Sequence, residues 1–103
     1  MSCYVDVCLH RGWKMYGRPI KNCHLIADSE EELLEMAIAI GMKPQWIQRP
    51  NNKRSPVHFD LMESRRKTAI ENGAIALDRK EFVDKMRELR KQKGENRYGT
   101  EKI

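Results

Sequence analysis

Pro56-Val57-His58-Phe59-Asp60-Leu61 is the stretch from which the fold and a candidate site are predicted together. In an extended strand, alternate side chains point to opposite faces. The apolar residues of this stretch would then be buried on one face, while His58 and Asp60 lie side by side on the other. The basic triplet Arg65-Arg66-Lys67 follows about one helical turn later. We therefore predict a cleft in which an imidazole, a carboxylate and anion-binding groups converge.

Length and composition predict one domain. The chain has 103 residues, of which 40% are hydrophobic and 34% charged, and a chain of this length can fold without a metal or a disulfide. The three cysteines, Cys3, Cys8 and Cys23, form no CxxC pair, so we expect free thiols. The N-terminus lacks the pattern of a signal peptide, and no apolar run approaches the ~20 residues that cross a bilayer. We expect a cytoplasmic protein with no membrane partner.

Positive charge is concentrated in two segments of the chain. The formal net charge is +5, and residues 43–67 carry seven basic and two acidic side chains, while residues 79–103 carry nine basic and five acidic. Such a distribution favours anionic partners, including phosphates and nucleic acid. For the C-terminal segment, a solvated surface without a partner is the alternative.

The order of local patterns predicts an α/β fold. The predicted elements are strands at 3–9 and 22–27, a helix at 30–40, a strand at 57–61, a helix at 62–72, a buried strand at 74–77 and a third helix from 79, with loops at 10–21 and 42–56. Asp28 or Ser29, each followed three residues later by a glutamate, would cap the first helix, and Asp78 would cap the third. We predict one α/β domain over residues 1–90, with a sheet of three to four strands flanked by about three helices in the order β-β-α-loop-β-α-β-α. Residues 91–103 are predicted to be a basic polar tail, frayed unless a partner orders it.

Polar and aromatic side chains from distant parts of the chain are candidate ligand-binding residues. Asp6 lies inside the first predicted strand, where a carboxylate needs a donor, a cation or water. Trp46 lies in the loop before the His58 strand and offers a plane on which a base can stack, although a place in the core would explain it equally. The residues predicted to bind a ligand are Tyr4, Asp6, Arg18, His24, Trp46, His58, Asp60, Arg65 and Arg66.

Several short motifs follow one another along residues 1 to about 89: Tyr4-Val5-Asp6, His24-Leu25-Ile26-Ala27-Asp28, Trp46, His58-Phe59-Asp60-Leu61 and Gly73-Ala74. In this order they resemble a family of small bacterial and bacteriophage proteins of unknown function. The proline-rich basic insertion before His58 and the basic tail depart from the shorter members. The resemblance implies a small α/β domain in the bacterial cytoplasm and supplies no activity. Its motif residues are Tyr4, Asp6, His24, Trp46, His58 and Asp60.

The first functional hypothesis is a protein that binds a nucleotide-like or phosphate-bearing small molecule without a cofactor. Trp46 or Tyr4 would stack on the base, and His24, His58 and Asp60 would contact its polar edges. The phosphate would be held by Arg18, Arg65 or Arg66. By analogy of class and size, such a bacteriophage protein could sequester a host signalling nucleotide and so counter host defence.

The second hypothesis is a metal- or histidine-dependent hydrolase or nuclease. His58, Asp60 and His24 would be its catalytic residues, and Asp6 would complete a set of four metal ligands with them. His58 lies 34 residues after His24, so no HExxH-like spacing fixes their geometry. The chain also has no P-loop, GxSxG or GxGxxG motif. For these reasons the sequence favours binding over catalysis.

The third hypothesis is nucleic-acid binding through the basic loop at 49–54 and the tail, although no nucleic-acid motif is present. The apolar face of the third predicted helix, together with the tail, could also form the contact of a homo-oligomer.

Overall fold

A computed structural model describes residues 2–49 and 56–102, with side chains as far as Lys91. The elements are β1 (Cys3–Val5), β2 (Leu9–Met15), β3 (Arg18–Ala27), α1 (Glu30–Ala39), a 3-10 turn (Pro44–Trp46), β4 (Phe59–Met62), α2 (Glu63–Glu71), β5 (Ile75–Ala76) and α3 (Arg79–Lys102). The protein is a small α/β domain with a mixed five-stranded sheet and three α-helices, as predicted, with one more strand than expected. Most of the basic loop predicted to bind nucleic acid, residues 49–54, lies outside the described residues.

The long strand β3 is the centre of the sheet. It pairs antiparallel with β1, β2 and β4, and β1 pairs parallel with β5. In this register His24 on β3 lies opposite Asp60 on β4. On the other side of β3, the Asp6 amide donates to the His24 carbonyl oxygen at 3.4 Å. The sheet therefore places Asp6, His24 and Asp60 in one row.

The two faces of the sheet carry separate apolar clusters, which makes three layers. The first cluster includes Phe59 and Leu61, both fully buried, with residues of α1 and α2. The second includes Tyr4 and Ile26 packed against Phe82 and Leu89 of α3. Alternate residues of each strand belong to opposite faces, as strand geometry requires. The predicted burial of Phe59 and Leu61 is confirmed.

Residues 10–21, predicted to be a loop, instead form most of an antiparallel hairpin. Tyr16 and Gly17, with φ of 53° and 77°, make the two-residue turn between β2 and β3. Positive φ at both central residues is the geometry whose twist matches that of paired strands. Gly12, with φ of 89°, lies where the register shifts between His10 and Lys14. The glycines interpreted as loop residues therefore provide a turn and a bulge within paired strands.

The start of α1 selects one of the two predicted caps. The Ser29 hydroxyl accepts the Glu32 amide at 3.2 Å and donates to the Glu32 carboxylate at 3.0 Å. Asp28 instead accepts the Ser2 amide and the Tyr4 hydroxyl. Gly41, with φ of 82°, follows the C-terminus of α1 in the left-handed conformation, as predicted.

The last two elements differ partly from expectation. Asp78 and Glu81 exchange hydrogen bonds at the start of α3, as predicted. β5 is not buried: Ile75 is 43% exposed, because β5 pairs with β1 at the end of the strand order. The segment predicted to be a frayed tail continues α3 to Lys102, and the division of the chain near residue 90 stays a prediction. Of the helices in the described ranges, none combines the length and the apolar character needed to cross a membrane.

Candidate functional site

The His24 imidazole lies between two carboxylates. Its Nδ1 is 2.9 Å from Asp6 Oδ2, and its backbone amide donates to Asp6 Oδ1 at 2.6 Å. On the other side, Nε2 is 3.7 Å from Asp60 Oδ1. Because a carboxylate only accepts hydrogen bonds, the contact with Asp6 assigns the proton of a neutral His24 ring to Nδ1. The Nε2 lone pair of His24 then points towards Asp60.

His58 approaches the same carboxylate from a second direction. Its Nδ1 is 3.2 Å from the Pro56 carbonyl oxygen, and its Nε2 is 3.7 Å from Asp60 Oδ1. The His24 and His58 ring centroids are 5.4 Å apart, with the ring planes at 80°. The His58 backbone is held by two hydrogen bonds to Gln48. Both imidazoles therefore have Nδ1 opposite an acceptor and Nε2 directed at one oxygen of Asp60.

Asp6 is a buried carboxylate held from several sides. It is 8% exposed, and Arg11 Nη2 lies 3.6 Å from its Oδ2. Arg11 also donates to the Asn22 carbonyl, and Arg66 Nε donates to the Asp6 carbonyl at 2.8 Å. Burial of a carboxylate is costly unless donors or cations surround it. Here those partners fix Asp6 where it can orient the His24 ring.

A cavity of about 540 Å³ adjoins the two histidines, between the sheet and the first turns of α3. Its polar lining residues are Asp6, Arg11, His24, His58 and Arg79. Its apolar lining residues are Val7, Leu9, Ile26, Pro56, Phe82, Val83 and Met86. A largely apolar cavity of this size with a few polar groups is typical of small-molecule sites.

Phe82 packs α3 against His24. Its ring stacks on the His24 imidazole, with centroids 6.3 Å apart and planes at 27°. Phe82 is 2% exposed, so the contact excludes water from one side of His24. The position of α3 thus sets both the shape of the cavity and the surroundings of the imidazole.

A family model described as "Protein of unknown function (DUF4031)" matches residues 3–89. The chain belongs to the DUF4031 family. The match confirms the resemblance to a family of unknown function that the motifs indicated. A search of curated proteins and a search of solved structures found no match. The matched range of the DUF4031 family includes the Asp6–His24–Asp60 row, His58 and the part of α3 that lines the cavity.

Four of the predicted ligand-binding residues lie together in this DUF4031 domain. Asp6, His24 and His58 line the cavity, and Asp60 contacts both imidazoles. Tyr4 lies on the same face of the sheet. Its hydroxyl donates to Asp28 at 3.1 Å and its ring lies 4.8 Å from the Lys85 amino group. Tyr4 therefore packs α3 against the sheet and is not part of the cavity lining.

The prediction that Arg65 and Arg66 share a cleft with His58 is wrong. Arg65 Nη1 donates at 2.6 Å to the Ile40 carbonyl at the end of α1, while Arg66 donates to the Asp6 backbone. Arg66 also lines a separate depression together with Lys67. The reason is that α2 packs with α1 on the sheet face opposite to the imidazoles.

Trp46 and Arg18 are also absent from the cavity lining. Trp46 is 46% exposed on the 3-10 turn, where the Lys43 amino group lies 5.8 Å from its ring. It therefore neither plugs the core nor stacks over the cavity. Arg18 is exposed at the start of β3, next to the hairpin turn.

Arg11 and Arg79 line the cavity and were missed from the sequence. Arg11 was assigned to a loop, and its position depends on the hairpin that places β2 beside β3. Arg79 did carry a signal, because it begins a helix, where the helix dipole disfavours a cation.

The cysteine thiols lie away from this site. Cys3 and Cys23 are buried in the cluster under α1 and α2, and all three thiols are free, as predicted. Burial raises the pKa of Cys3 to about 11, with a smaller contribution from Glu32. Burial also raises the pKa of Cys23, as does its neighbour Cys8. Both buried thiols are therefore protonated at neutral pH and act as small core residues.

A side-chain oxygen next to the site lacks a partner. Asn22, two residues before His24 on β3, is 2% exposed, and its Oδ1 accepts no hydrogen bond among the described residues. An unsatisfied buried acceptor is costly and in most proteins is met by water or a ligand. A water molecule or a ligand that donates a hydrogen bond to Asn22 Oδ1 would therefore stabilise the protein.

Proposed function

We propose that this DUF4031 protein binds a small anionic molecule, such as a nucleotide-like or phosphate-bearing ligand, in the cavity between the sheet and α3. The observation that carries the proposal is the composition of the cavity wall. Two arginines, two histidines and one carboxylate, Asp6, face a space that is otherwise apolar, and Asp6 is contacted by Arg11 and His24. An apolar wall can bury the planar part of a ligand, while a few placed cations orient its charged part.

Arg79 is the best-placed group for the anionic part. It lines the cavity and has no hydrogen-bond or ion-pair partner among the residues described. It also lies in the first turn of α3, where the helix dipole adds positive potential. Arg11 is engaged by Asp6 and the Asn22 carbonyl, so it supplies charge from a fixed position. A phosphate at the start of α3 would accept charge-assisted hydrogen bonds from Arg79.

The planar part of the ligand would contact aliphatic side chains and not the aromatic residues that were predicted. Trp46 and Tyr4, the stacking residues predicted from the sequence, do not line the cavity. Ile26, Val83 and Met86 do, and they provide apolar contacts for which no particular base is required. The proposal therefore specifies an anionic ligand with an apolar or planar part, and nucleotides are the first class to test.

Calorimetry and native mass spectrometry with nucleoside monophosphates, cyclic nucleotides and ADP-ribose derivatives test this function. We expect at least one ligand to bind in the micromolar range and to be recovered unchanged after denaturation, as required of a sequestering protein. Arg79→Gln should weaken that binding about tenfold or more, since a charge-assisted hydrogen bond contributes about 1.5–3 kcal/mol.

Arg87→Gln is the matched control, because Arg87 lies on the same helix, is 69% exposed and has a 4.0 Å contact to Asp84. Its affinity should equal that of the unmodified protein. Binding no tighter than about 1 mM across the panel, or an equal loss in both variants, would refute the proposal.

Hydrolysis is the second candidate function, and the Asp6–His24 contact favours it. A buried carboxylate that orients the imidazole of a histidine in a cavity wall is the arrangement of a general base. The same incubations distinguish the two candidates, because a hydrolase releases a product whereas a binder returns its ligand. If the protein is a hydrolase, His24→Gln should abolish turnover. His10→Gln, at an exposed position on β2, should not.

A further inference from the structure

We propose that His24, His58 and Asp60 form a binding site for one divalent first-row transition-metal ion. A ring nitrogen from each histidine and a carboxylate oxygen of Asp60 lie within 4.8 Å of one another. This inference does not rest on the proposed ligand, because it uses the imidazole and carboxylate atoms alone.

These side chains lie close together without direct hydrogen bonds to one another. Each Nε2 is 3.7 Å from Asp60 Oδ1, beyond the range of a direct hydrogen bond. The Asp60 carboxylate accepts no hydrogen bond from any described residue, although its side chain is only 25% exposed. Three polar atoms thus face one another without direct pairing.

A metal ion satisfies this spacing with small movements. Ligand atoms about 2.0–2.2 Å from zinc are about 3.4 Å apart at the tetrahedral angle, and about 3.7 Å corresponds to a slightly wider angle. The His24 and His58 nitrogens need to approach by less than about 1.5 Å, which imidazole rotation within a rotamer well can supply.

The orientation of both rings is that of metal ligands. Each Nδ1 faces an acceptor, the Asp6 carboxylate for His24 and the Pro56 carbonyl for His58, so each Nε2 presents a lone pair. At metal sites, the ring nitrogen of a histidine that does not bind the metal usually donates a hydrogen bond to a carboxylate or a carbonyl. This hydrogen bond raises the basicity of the nitrogen that binds the metal. Asp6 is therefore a positioning residue in this proposal.

The ligand types narrow the class of metal. Two imidazoles and one carboxylate suit zinc, iron(II), cobalt(II) or nickel(II), whereas magnesium and calcium prefer oxygen ligands. Three protein ligands also leave coordination positions open. Because His24 and His58 line the cavity, those positions are accessible to a water molecule or to an anion bound there.

Nitrogen NMR of the imidazole rings tests the site in the unmodified protein, after removal of metal with a chelator and titration with Zn²⁺. The chain has three histidines, and His10 on β2 is exposed and lines a different depression from His24 and His58, which makes it an internal control. We expect the Nε2 signals of His24 and His58 to move with one equivalent of Zn²⁺, while the His10 signals do not. Unchanged signals for His24 and His58, or a shift of His10 alone, would overturn the proposal.

Cobalt(II) and magnesium titrations supply a second readout. Co²⁺ should give visible bands without the near-ultraviolet absorption of a thiolate ligand, because all three cysteines belong to or pack against the apolar cluster on the opposite face of the sheet. Mg²⁺ should produce no comparable binding. Thiolate absorption would place the metal at cysteine and contradict the assignment.

Variants then test each residue by calorimetry, with circular dichroism to confirm that each is folded. His58→Ala and Asp60→Asn should each weaken Zn²⁺ binding at least tenfold, and His10→Ala should leave it unchanged. Asp6→Asn should weaken it about 10- to 100-fold, the range seen when a residue behind a metal-ligating histidine is replaced. Equal affinities in folded His58→Ala and unmodified protein would also overturn the proposal.

Discussion

The Asp6 carboxylate connects the fold to the candidate site. It accepts two hydrogen bonds from His24, one from the backbone and one from the ring, and it lies beside Arg11. Because Asp6 directly follows β1, the same residue ends a strand pairing and orients an imidazole. Its role is therefore both structural and functional.

Replacing Asp6 should destabilise the protein even where no ligand is present. Asp6→Ala leaves the His24 amide and the Arg11 guanidinium without their acceptor, so we expect a loss of about 2–4 kcal/mol in the free energy of unfolding. Urea denaturation measures this loss. Asp84→Ala, at an exposed position 4.0 Å from Arg87, should change it by less than about 0.5 kcal/mol.

Cys3 makes stability depend on alkaline pH. Its pKa is raised by burial to about 11, so between roughly pH 9 and 11 the unfolded chain loses a thiol proton that the folded chain retains. The stabilisation is complete below pH 9 and decreases as the pH rises, by about 2–3 kcal/mol in total. We expect the unfolding free energy of Cys3→Ala to fall less over this range than that of the unmodified protein. If the unfolding free energies of the two proteins fall in parallel as the pH rises, ionisation of Cys3 is not the cause of the loss.

At the scale of elements, the cap of α1 is a local feature with a measurable cost. Ser29→Ala removes the hydroxyl that accepts the Glu32 amide, and a lost cap of this kind costs about 1 kcal/mol. Chemical denaturation of Ser29→Ala measures it. Ser64→Ala is the matched control, because Ser64 is the second residue of α2 and its hydroxyl makes no hydrogen bond to any residue that the structure describes, so its effect should stay within about 0.5 kcal/mol.

The β2–β3 hairpin shows why one element was missed. Strand β2 is almost entirely exposed, so it lacks the alternation of apolar and polar residues that identifies a half-buried strand. Its glycines then favoured a loop. The pairing of β2 with β3 is determined by the Tyr16-Gly17 turn and by β3, whose C-terminal half carries the buried residues.

At the scale of the whole molecule, α3 completes both the second cluster and the cavity. Phe82 contacts His24 on the sheet and is 2% exposed, so Phe82→Ala should cost about 3–5 kcal/mol through the space it leaves. In Phe82→Ala, amide hydrogen exchange should increase more in α3 than in α1, because α1 packs on the opposite face of the sheet. Val83→Ala, which lines the same cavity from a half-buried position, should cost about 1–2 kcal/mol. Equal exchange in both helices would show that the two layers unfold together.

Features that depend on neighbouring residues could be predicted from the amino-acid sequence. These include the class of fold, the cap of α3, the restriction of the α1 cap to Asp28 or Ser29, the stop at Gly41, and the placement of His58 and Asp60 on the face opposite Phe59. Each follows from a period, a cap or a turn that acts within a few residues.

Contacts between residues far apart in the chain depend on how the strands pair and the helices pack. The antiparallel pairing of β3 with β1 and β4 brings Asp6 and Asp60 to opposite sides of His24, and the packing of α3 adds Arg79 and Phe82. The choice of helix face also moved Arg65 and Arg66 away from the site, although they follow β4 directly. Strand register and layer order arise from burial summed over the whole chain, and no local spacing encodes that sum.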